Sequence, residues 1–326
     1  MPSAKKLHRC ALLDDYQNVA LGLADWSKLA GEVEFTVFNA PLGGPDEIAH
    51  ALKGFDMVVL MRERTPFPRR LIEALPDLRL LISTGKRNWM LDLEAATERG
   101  IVACSTETTG NPTIGIAIGL MLELTRRIGY ESERLKNGAA WQSTLGVDIE
   151  GKTLGLIGVG RLGSQVGKIA QALGMKVIAW SQNLTAERCR SLGVEQAPSK
   201  EALLRQADVV SLHVVLSERT RGLMGRDEFA LMKPSAYLIN TARGPIVDEA
   251  ALIAALQDKR IAGAGLDVFD IEPLPIDHPL RKLDNVVLSP HLGYVTAENF
   301  RTCYGGVVEN IRAYLDGKPI RLLQPA

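Results

Sequence analysis

The sequence has no net charge: 38 Lys plus Arg balance 38 Asp plus Glu over 326 residues. A surface built for polyanions carries an excess of basic residues, so the balance argues against nucleic acid or an anionic membrane as the main partner. Cysteine is scarce. Cys10, Cys104, Cys189 and Cys303 stand far apart and form no CxxC or Cys/His cluster. Neither a zinc site nor a disulfide framework is indicated, no metal is expected, and the four read as buried thiols. No uninterrupted apolar run approaches the ~18 residues that a membrane helix needs. Nor does the start read as a secretory leader, because Lys5, Lys6 and Arg9 are followed by Asp14 and Asp15 rather than by a long apolar core. The expectation is a cytoplasmic protein with no membrane partner.

Apolar residues make up 46% and charged residues 23%, an ordinary globular composition that excludes disorder and collagen-like repeats. The length suggests about two domains, each large enough to bury a core. Short apolar runs alternate with amphipathic stretches. RCALL (9–13), VEFTVF (33–38), DMVVLM (56–61), LRLLIS (78–83) and IVAC (101–104) read as strands, with helical patterns near 17–30, 45–52, 68–75 and 92–99. One long helix is expected from Pro112 to Asn137, with Gly138 at its end. A second alternating series starts at KTLGLIGVG (152–160) and continues through KVIAW (176–180), DVVSLHV (208–214), AYLIN (236–240), AGLDVF (264–269) and NVVLSP (285–290). A last helix spans about 297–315. Alternation of this kind predicts βαβ units, hence two doubly wound parallel-sheet α/β domains. Pattern alone leaves open which domain takes the last helix.

GVGRLG places Gly158, Gly160 and Gly163 in GxGxxG spacing. The spacing by itself is a weak signal. Here it follows an apolar strand and opens a helical stretch, the context that dinucleotide binding requires. Gly158 permits the tight turn, Gly160 admits a pyrophosphate, and Gly163 lets helix and strand pack closely. The helix start, with Arg161 and Leu162, offers amides and partial positive charge to phosphate. The next strand ends at Ser181, where NAD-binding proteins usually carry an acid for the ribose. Serine neither grips both hydroxyls nor repels a 2′-phosphate. No arginine follows at once, although Arg188 and Arg190 lie further along. NAD is the preferred cofactor, with NADP possible.

Three polar residues close predicted strands in the second half: Arg243 after AYLINTARG, Glu272 after AGLDVFDIEP and His291 after NVVLSPH. Ligands of open parallel sheets bind beyond the carboxyl ends of the strands. A guanidinium clamps carboxylates, an imidazole exchanges protons near neutral pH, and a carboxylate fixes the imidazole tautomer. Taken singly, each fits a plainer role: an ion pair, a solvated turn residue, a structural histidine. Together, downstream of a dinucleotide turn, they make a site for reducing a 2-oxo acid.

GVGRLG, NTARGPIVDEAAL, AGLDVFDIEPLP and LSPHLGYVT, in this order, resemble the D-isomer-specific 2-hydroxyacid dehydrogenase family, in particular its D-3-phosphoglycerate dehydrogenase-like members. The resemblance covers essentially the whole chain and is strongest from about 150 to 316. It implies hydride transfer between a nicotinamide and C2 of a small D-2-hydroxy acid or 2-oxo acid. Arg243 would hold the carboxylate, His291 would be the acid/base and Glu272 would support it. Asp267 would meet the nicotinamide carboxamide, and Thr241 and His213 would lie on the cofactor. The implied fold is a Rossmann-type nucleotide domain (111–294) inserted into a discontinuous, flavodoxin-like substrate domain (1–110 and 295–326). The implied assembly is a homodimer through the nucleotide domain.

The sequence departs from the family pattern in three places. The substrate loop reads STGKRNWMLD: Gly85 is kept, but Lys86, Arg87 and Trp89 bring bulk and charge. Lys86 or Arg87, with Arg62, is expected to meet a second anionic group or to narrow the pocket; the plainer alternative is that both face solvent or pair with acids across the cleft. Ile114 and Gly115 stand where many relatives carry Ala-Glu, and HVVL keeps His213 but has Val215 in place of proline. A second function class is a cofactor-binding corepressor on the same fold; those proteins carry tail extensions, and this chain shows almost none. Formate and phosphite dehydrogenases are further relatives; the formate enzymes carry Gln where Glu272 stands.

Overall fold

A computed structural model describes residues 7–325; Lys5 and Lys6 lie outside them. The chain forms two units, Met1–Gly110 with Thr296–Ala326 and Asn111–Val295.

The first unit holds a parallel sheet in the order β2-β1-β3-β4-β5. Its strands are β1 (His8–Leu12), β2 (Val33–Val37), β3 (Met57–Leu60), β4 (Leu80–Ser83) and β5 (Val102–Ser105). MVVL and LLIS are buried at every position, as strands covered on both faces must be. Helices α1 (Pro45–Ala51), α2 (Arg69–Glu73) and α3 (Leu93–Glu98) flank the sheet, and Leu71, Ile72, Ala95 and Ala96 join Val58, Leu60 and Leu81 in one core. The helix expected near 17–30 is two short 3-10 turns instead, Ala20–Gly22 and Trp26–Leu29. The buried Asp15 carboxylate takes the amides of Val19 and Ala20, which ties the chain into a local turn.

The last helix, Ala297–Leu315, belongs to this unit. Thr296 caps it by accepting from the Asn299 amide. Phe300, Cys303, Tyr304, Val307 and Ile311 recur at helical spacing and are buried. The tail then runs antiparallel beside β5: Leu323 N donates to Ala103 O and Ser105 N to Arg321 O. Pairing of this kind removes an open sheet edge.

The second unit holds a seven-stranded parallel sheet in the order β12-β11-β10-β9-β6-β7-β8. Its strands are β6 (Thr153–Ile157), β7 (Lys176–Trp180), β8 (Glu195–Gln196), β9 (Val209–Leu212), β10 (Tyr237–Asn240), β11 (Gly263–Leu266) and β12 (Val286–Leu288). The expected strands are each present; KVIAW and AYLIN end where expected, and the others end earlier. In AGLDVF and DVVSLHV the polar residues Asp267 and His213 mark where pairing stops and the loops begin.

The single long helix expected from Pro112 is two: α4 (Thr113–Arg126) and α5 (Ile128–Lys136). They part at Arg127, whose φ is 52°, and the Glu123 carboxylate accepts from the Gly129 amide across the break. An apolar period continues through the break, which is why the pattern reads as one helix. Helix α4 lies close on β11. A side chain at Gly265 would begin 2.9 Å from Leu120 Cβ, so GAGL is glycine-rich because the helix takes that space. Among the described residues, no helix is long and apolar enough to cross a membrane.

Candidate active site

The glycine turn sits at the point in the second sheet where strand order reverses, between β6 and β9. Gly158 has a φ of 98°, and a side chain there would begin 2.8 Å from the His213 carbonyl oxygen. Gly163 is pressed onto the Gly158 carbonyl. At Gly160, by contrast, a side chain would meet no heavy atom within 4 Å. Two glycines are therefore demanded by packing, and the third opens onto free space where backbone and ligand can approach. Helix α6 (Arg161–Ala172) starts here without a side-chain cap, so its first amides point outward. Arg161 is exposed, while the Leu162 side chain packs against the sheet core and leaves only its backbone at the turn.

Around this turn, Ser181 follows β7, partly buried, and its carbonyl accepts from the Leu184 amide at 3.0 Å. His213 follows β9, and its Nε2 pairs with Ser211 Oγ at 2.9 Å. Burial pushes the His213 imidazole down to about 4, so it is neutral at physiological pH. Thr241 follows β10. Its hydroxyl is buried with no hydrogen-bond partner among the described residues, an orphan that a bound ligand would satisfy. An open Gly160, an uncapped helix start and an unpaired Thr241 hydroxyl together fit a dinucleotide.

Arg243, Glu272 and His291 lie beyond β10, β11 and β12. The Asn240 side chain folds the first of these loops: Nδ2 donates to the Arg243 carbonyl and Oδ1 accepts from the Ala242 amide, both at 3.0 Å. Arg243 Nη1 donates to the Ala242 carbonyl at 2.7 Å. A side chain on Gly244 would collide with the backbone of Phe269 and Asp270. The loop carrying Arg243 is thus seated directly on the loop carrying Glu272.

Glu272 joins the set through both oxygens. Oε1 accepts from the Phe269 amide at 2.9 Å, and Oε2 lies 2.6 Å from His291 Nδ1. Burial opposes its ionisation, but the bond and charge of His291, the Phe269 amide and the Arg243 charge outweigh it. The carboxyl is held below the ordinary glutamate value. An ionised carboxylate only accepts, so Nδ1 carries the proton and Nε2 is left to exchange one. The imidazole edge also packs against Tyr294, with ring centroids 5.5 Å apart.

His291 adopts a left-handed backbone, φ 53°, a conformation few residues other than glycine hold without support. Asp267 supplies the support. Its buried carboxylate takes the Ser289 hydroxyl and the amides of Leu292 (2.7 Å) and Gly293 (2.8 Å). Burial raises its pKa despite these donors. Sequence reading gave Asp267 to the nicotinamide; the structure shows it first as the anchor of the histidine loop. Asn240, Gly244 and Ser289 were missed. The Asn-Thr-Ala-Arg-Gly order was the available signal for the first two, since asparagine readily closes a turn on its own backbone.

In the first unit, Arg62 follows β3 and Gly85, Lys86 and Arg87 follow β4. Gly85 has a φ of 94°, and the guanidinium carbon of Arg62 lies 3.1 Å from where a Gly85 side chain would begin. Lys86 Nζ meets Glu107 at 2.8 Å, an exposed pair within the same unit. The Arg87 guanidinium lies 5.8 Å from the centre of the Trp89 ring.

Residues 118–293 match the family model described as D-isomer specific 2-hydroxyacid dehydrogenase, NAD binding domain. The chain is 38% identical over 276 residues to a D-3-phosphoglycerate dehydrogenase of Methanocaldococcus jannaschii, covering 84% of this chain and 52% of that protein. It thus spans about half the length of that relative. Against a hydroxypyruvate reductase of Blautia hydrogenotrophica the identity is 32% over 318 residues, 93% of this chain and 95% of the other. A crystal structure of a phosphoglycerate oxidoreductase from Vibrio cholerae superposes with a TM-score of 0.90 at 32% identity, covering 95% of this chain and 100% of that one. The glycine turn and the Arg-Glu-His set fall within the matched stretch, and the chain belongs to the D-isomer specific 2-hydroxyacid dehydrogenase family.

Proposed function

We propose that the protein reduces a small 2-oxo acid to the D-2-hydroxy acid, reversibly, with NAD(H) as the preferred cofactor. The observation that carries this reading is the Glu272–His291 pair beside Arg243, on loops of the same sheet as an open glycine turn. The cofactor would be held by Gly158, Gly160, Arg161, Leu162, Gly163, Ser181, His213, Thr241 and Asp267. When bound, it supplies or accepts the hydride at substrate C2. Arg243 binds the substrate carboxylate and polarises the neighbouring carbonyl. His291 Nε2 gives a proton to the developing alkoxide, or takes it back in oxidation. Glu272 keeps Nδ1 protonated and stabilises the imidazolium. In the first unit, Arg62, Gly85, Lys86 and Arg87 are assigned to substrate binding.

NAD is preferred because no arginine adjoins Ser181 to hold a 2′-phosphate; the missing acid leaves NADP usable. A cytoplasmic location is part of the same reading, carried by composition alone. So is a homodimer through the second unit. Its support is an apolar patch on and after α5, where Trp141 is 68% exposed and Leu145 97%.

The test is oxidation of NADH and of NADPH against glyoxylate, pyruvate, hydroxypyruvate and a phosphorylated 2-oxo acid. Turnover with at least one acid, faster with NADH, is expected. NADH binding without turnover of any acid would favour a cofactor-binding interaction protein instead.

A further inference from the structure

We propose that Thr113 is a positioning residue for the His291 imidazole, acting through the backbone carbonyl of Gly293; this rests on the 2-oxo acid reading above. Thr113 opens α4. A threonine near a helix start commonly turns its hydroxyl onto its own backbone, but the α4 start has no side-chain cap. Thr113 Oγ1 instead donates to the Gly293 carbonyl, 180 residues along the chain, at 2.7 Å. Gly293 is separated from His291 by Leu292 alone.

This bond supplies what Asp267 does not. Asp267 holds the histidine loop by its donors: the Ser289 hydroxyl and the amides of Leu292 and Gly293. The Gly293 amide belongs to one peptide plane and its carbonyl to the next, and a glycine between two planes turns readily. Asp267 therefore fixes only the first plane. Thr113 fixes the second, which leads into Tyr294. The Tyr294 ring packs edge-on against the His291 imidazole, with centroids 5.5 Å apart and planes at 80°. Space is constrained as well as direction. A side chain on Gly293 would begin 2.9 Å from Asp267 Oδ2 and 3.1 Å from Thr113 Cγ2. Helix α4 is itself fixed in the core by Ile114, Ala117, Leu120 and Leu124, and a group on a packed helix holds its place better than one on a loop. Losing the hydroxyl frees the Gly293 carbonyl. The Tyr294 ring then shifts, and the imidazole gains room to leave the Glu272 carboxylate.

Thr113→Val keeps the shape and loses the donor. Thr113→Ala also loses it but favours the helix, so a weakened helix start cannot account for an effect that both share. Thr113→Ser keeps the donor. The experiment measures kcat for hydroxypyruvate, KM for NADH and thermal melts for native protein and the three variants. It also follows exchange of the His291 Nδ1 proton with water, by NMR of protein carrying isotope-labelled histidine; the signal is identified by its absence in His291→Asn. The valine and alanine variants are expected to lower kcat by about tenfold while changing the KM for NADH less than about threefold. Proton exchange should be faster in both, and serine should restore kcat and exchange together. A purely structural role lowers the melting temperature but leaves kcat and exchange of the folded fraction at native values, and that result overturns the proposal. So does a native protein with no His291 N–H signal, or a serine variant as impaired as the valine one. Faster exchange in the valine and alanine variants of a protein that turns over no 2-oxo acid overturns the activity reading alone. Normal turnover by the native protein, with kcat and exchange unchanged in both variants, overturns the Thr113 role alone.

Discussion

At the residue scale the structure sets the proposed acid/base among groups that hold it in place. His291 is the clearest case. Its ring is oriented by Glu272, and its backbone sits in an unfavourable region secured by Asp267 through Leu292, Gly293 and Ser289. Removing the acid/base should cost far more than removing its support. His291→Asn is expected to lower kcat by about 10²–10⁴-fold and Glu272→Gln by less, with NADH affinity retained in both; equal losses would make Glu272 more than a support. Gly244 is a different kind of residue. Its substitution by alanine forces the backbone of Phe269 and Asp270 away, so Gly244→Ala should destabilise by about 1–3 kcal/mol in urea unfolding and lower kcat by displacing Glu272. The proposed catalytic three could be picked out because each is a polar residue following an apolar strand. Asn240 and Gly244 could not, because their roles depend on which loop backbone lies against them, and single-sequence patterning carries no such distance.

At the element scale, strand positions were legible, and strand ends only in part: β7 and β10 end where expected, while others stop short. VVSLHV is apolar enough to extend β9, yet the strand stops at Leu212 and His213 turns toward the glycine loop. That buried histidine gives the second sheet a pH dependence. Its pKa falls from 6.5 to about 4 on folding, so the folded state binds fewer protons than the unfolded state between these values. Its contribution is full above pH 6.5 and is lost as pH falls toward 4. The loss is at most about 3 kcal/mol. Urea unfolding across this window should show native stability falling more steeply than that of His213→Asn. Parallel curves would mean that the histidine is not buried neutral. The break between α4 and α5 is the second element-scale lesson. The apolar period ran through Arg127, and only its left-handed backbone, with Glu123 reaching Gly129, shows that the chain turns there.

At the scale of the whole molecule, the zero net charge hides local imbalance. Arg62, Lys86 and Arg87 lie on loops after the neighbouring strands β3 and β4 of the first sheet, and Arg161 and Arg243 on loops of the second. Neutrality overall with basic groups at strand ends suits small anions rather than polymers. The exposed apolar patch of the second unit carries the assembly proposal. Trp141→Asp combined with Leu145→Asp should convert a dimer to a monomer in light scattering, and a native protein that is already monomeric would end that proposal. Alternating βαβ grammar made two α/β domains readable from the sequence. The patch was not readable, because Trp141 and Leu145 lie beyond Gly138, in a stretch where the sequence pattern gives no element.

The central claim is hydride transfer to C2 of a 2-oxo acid with protonation from His291. It is tested most directly by following the label from NADH deuterated at the transferring C4 position during reduction of hydroxypyruvate. The expected result is one deuterium at C2 of the product, in the D configuration, with none lost to water and formation slowed by about 10²–10⁴-fold in His291→Asn. Product without deuterium at C2, or product of the L configuration, would contradict it.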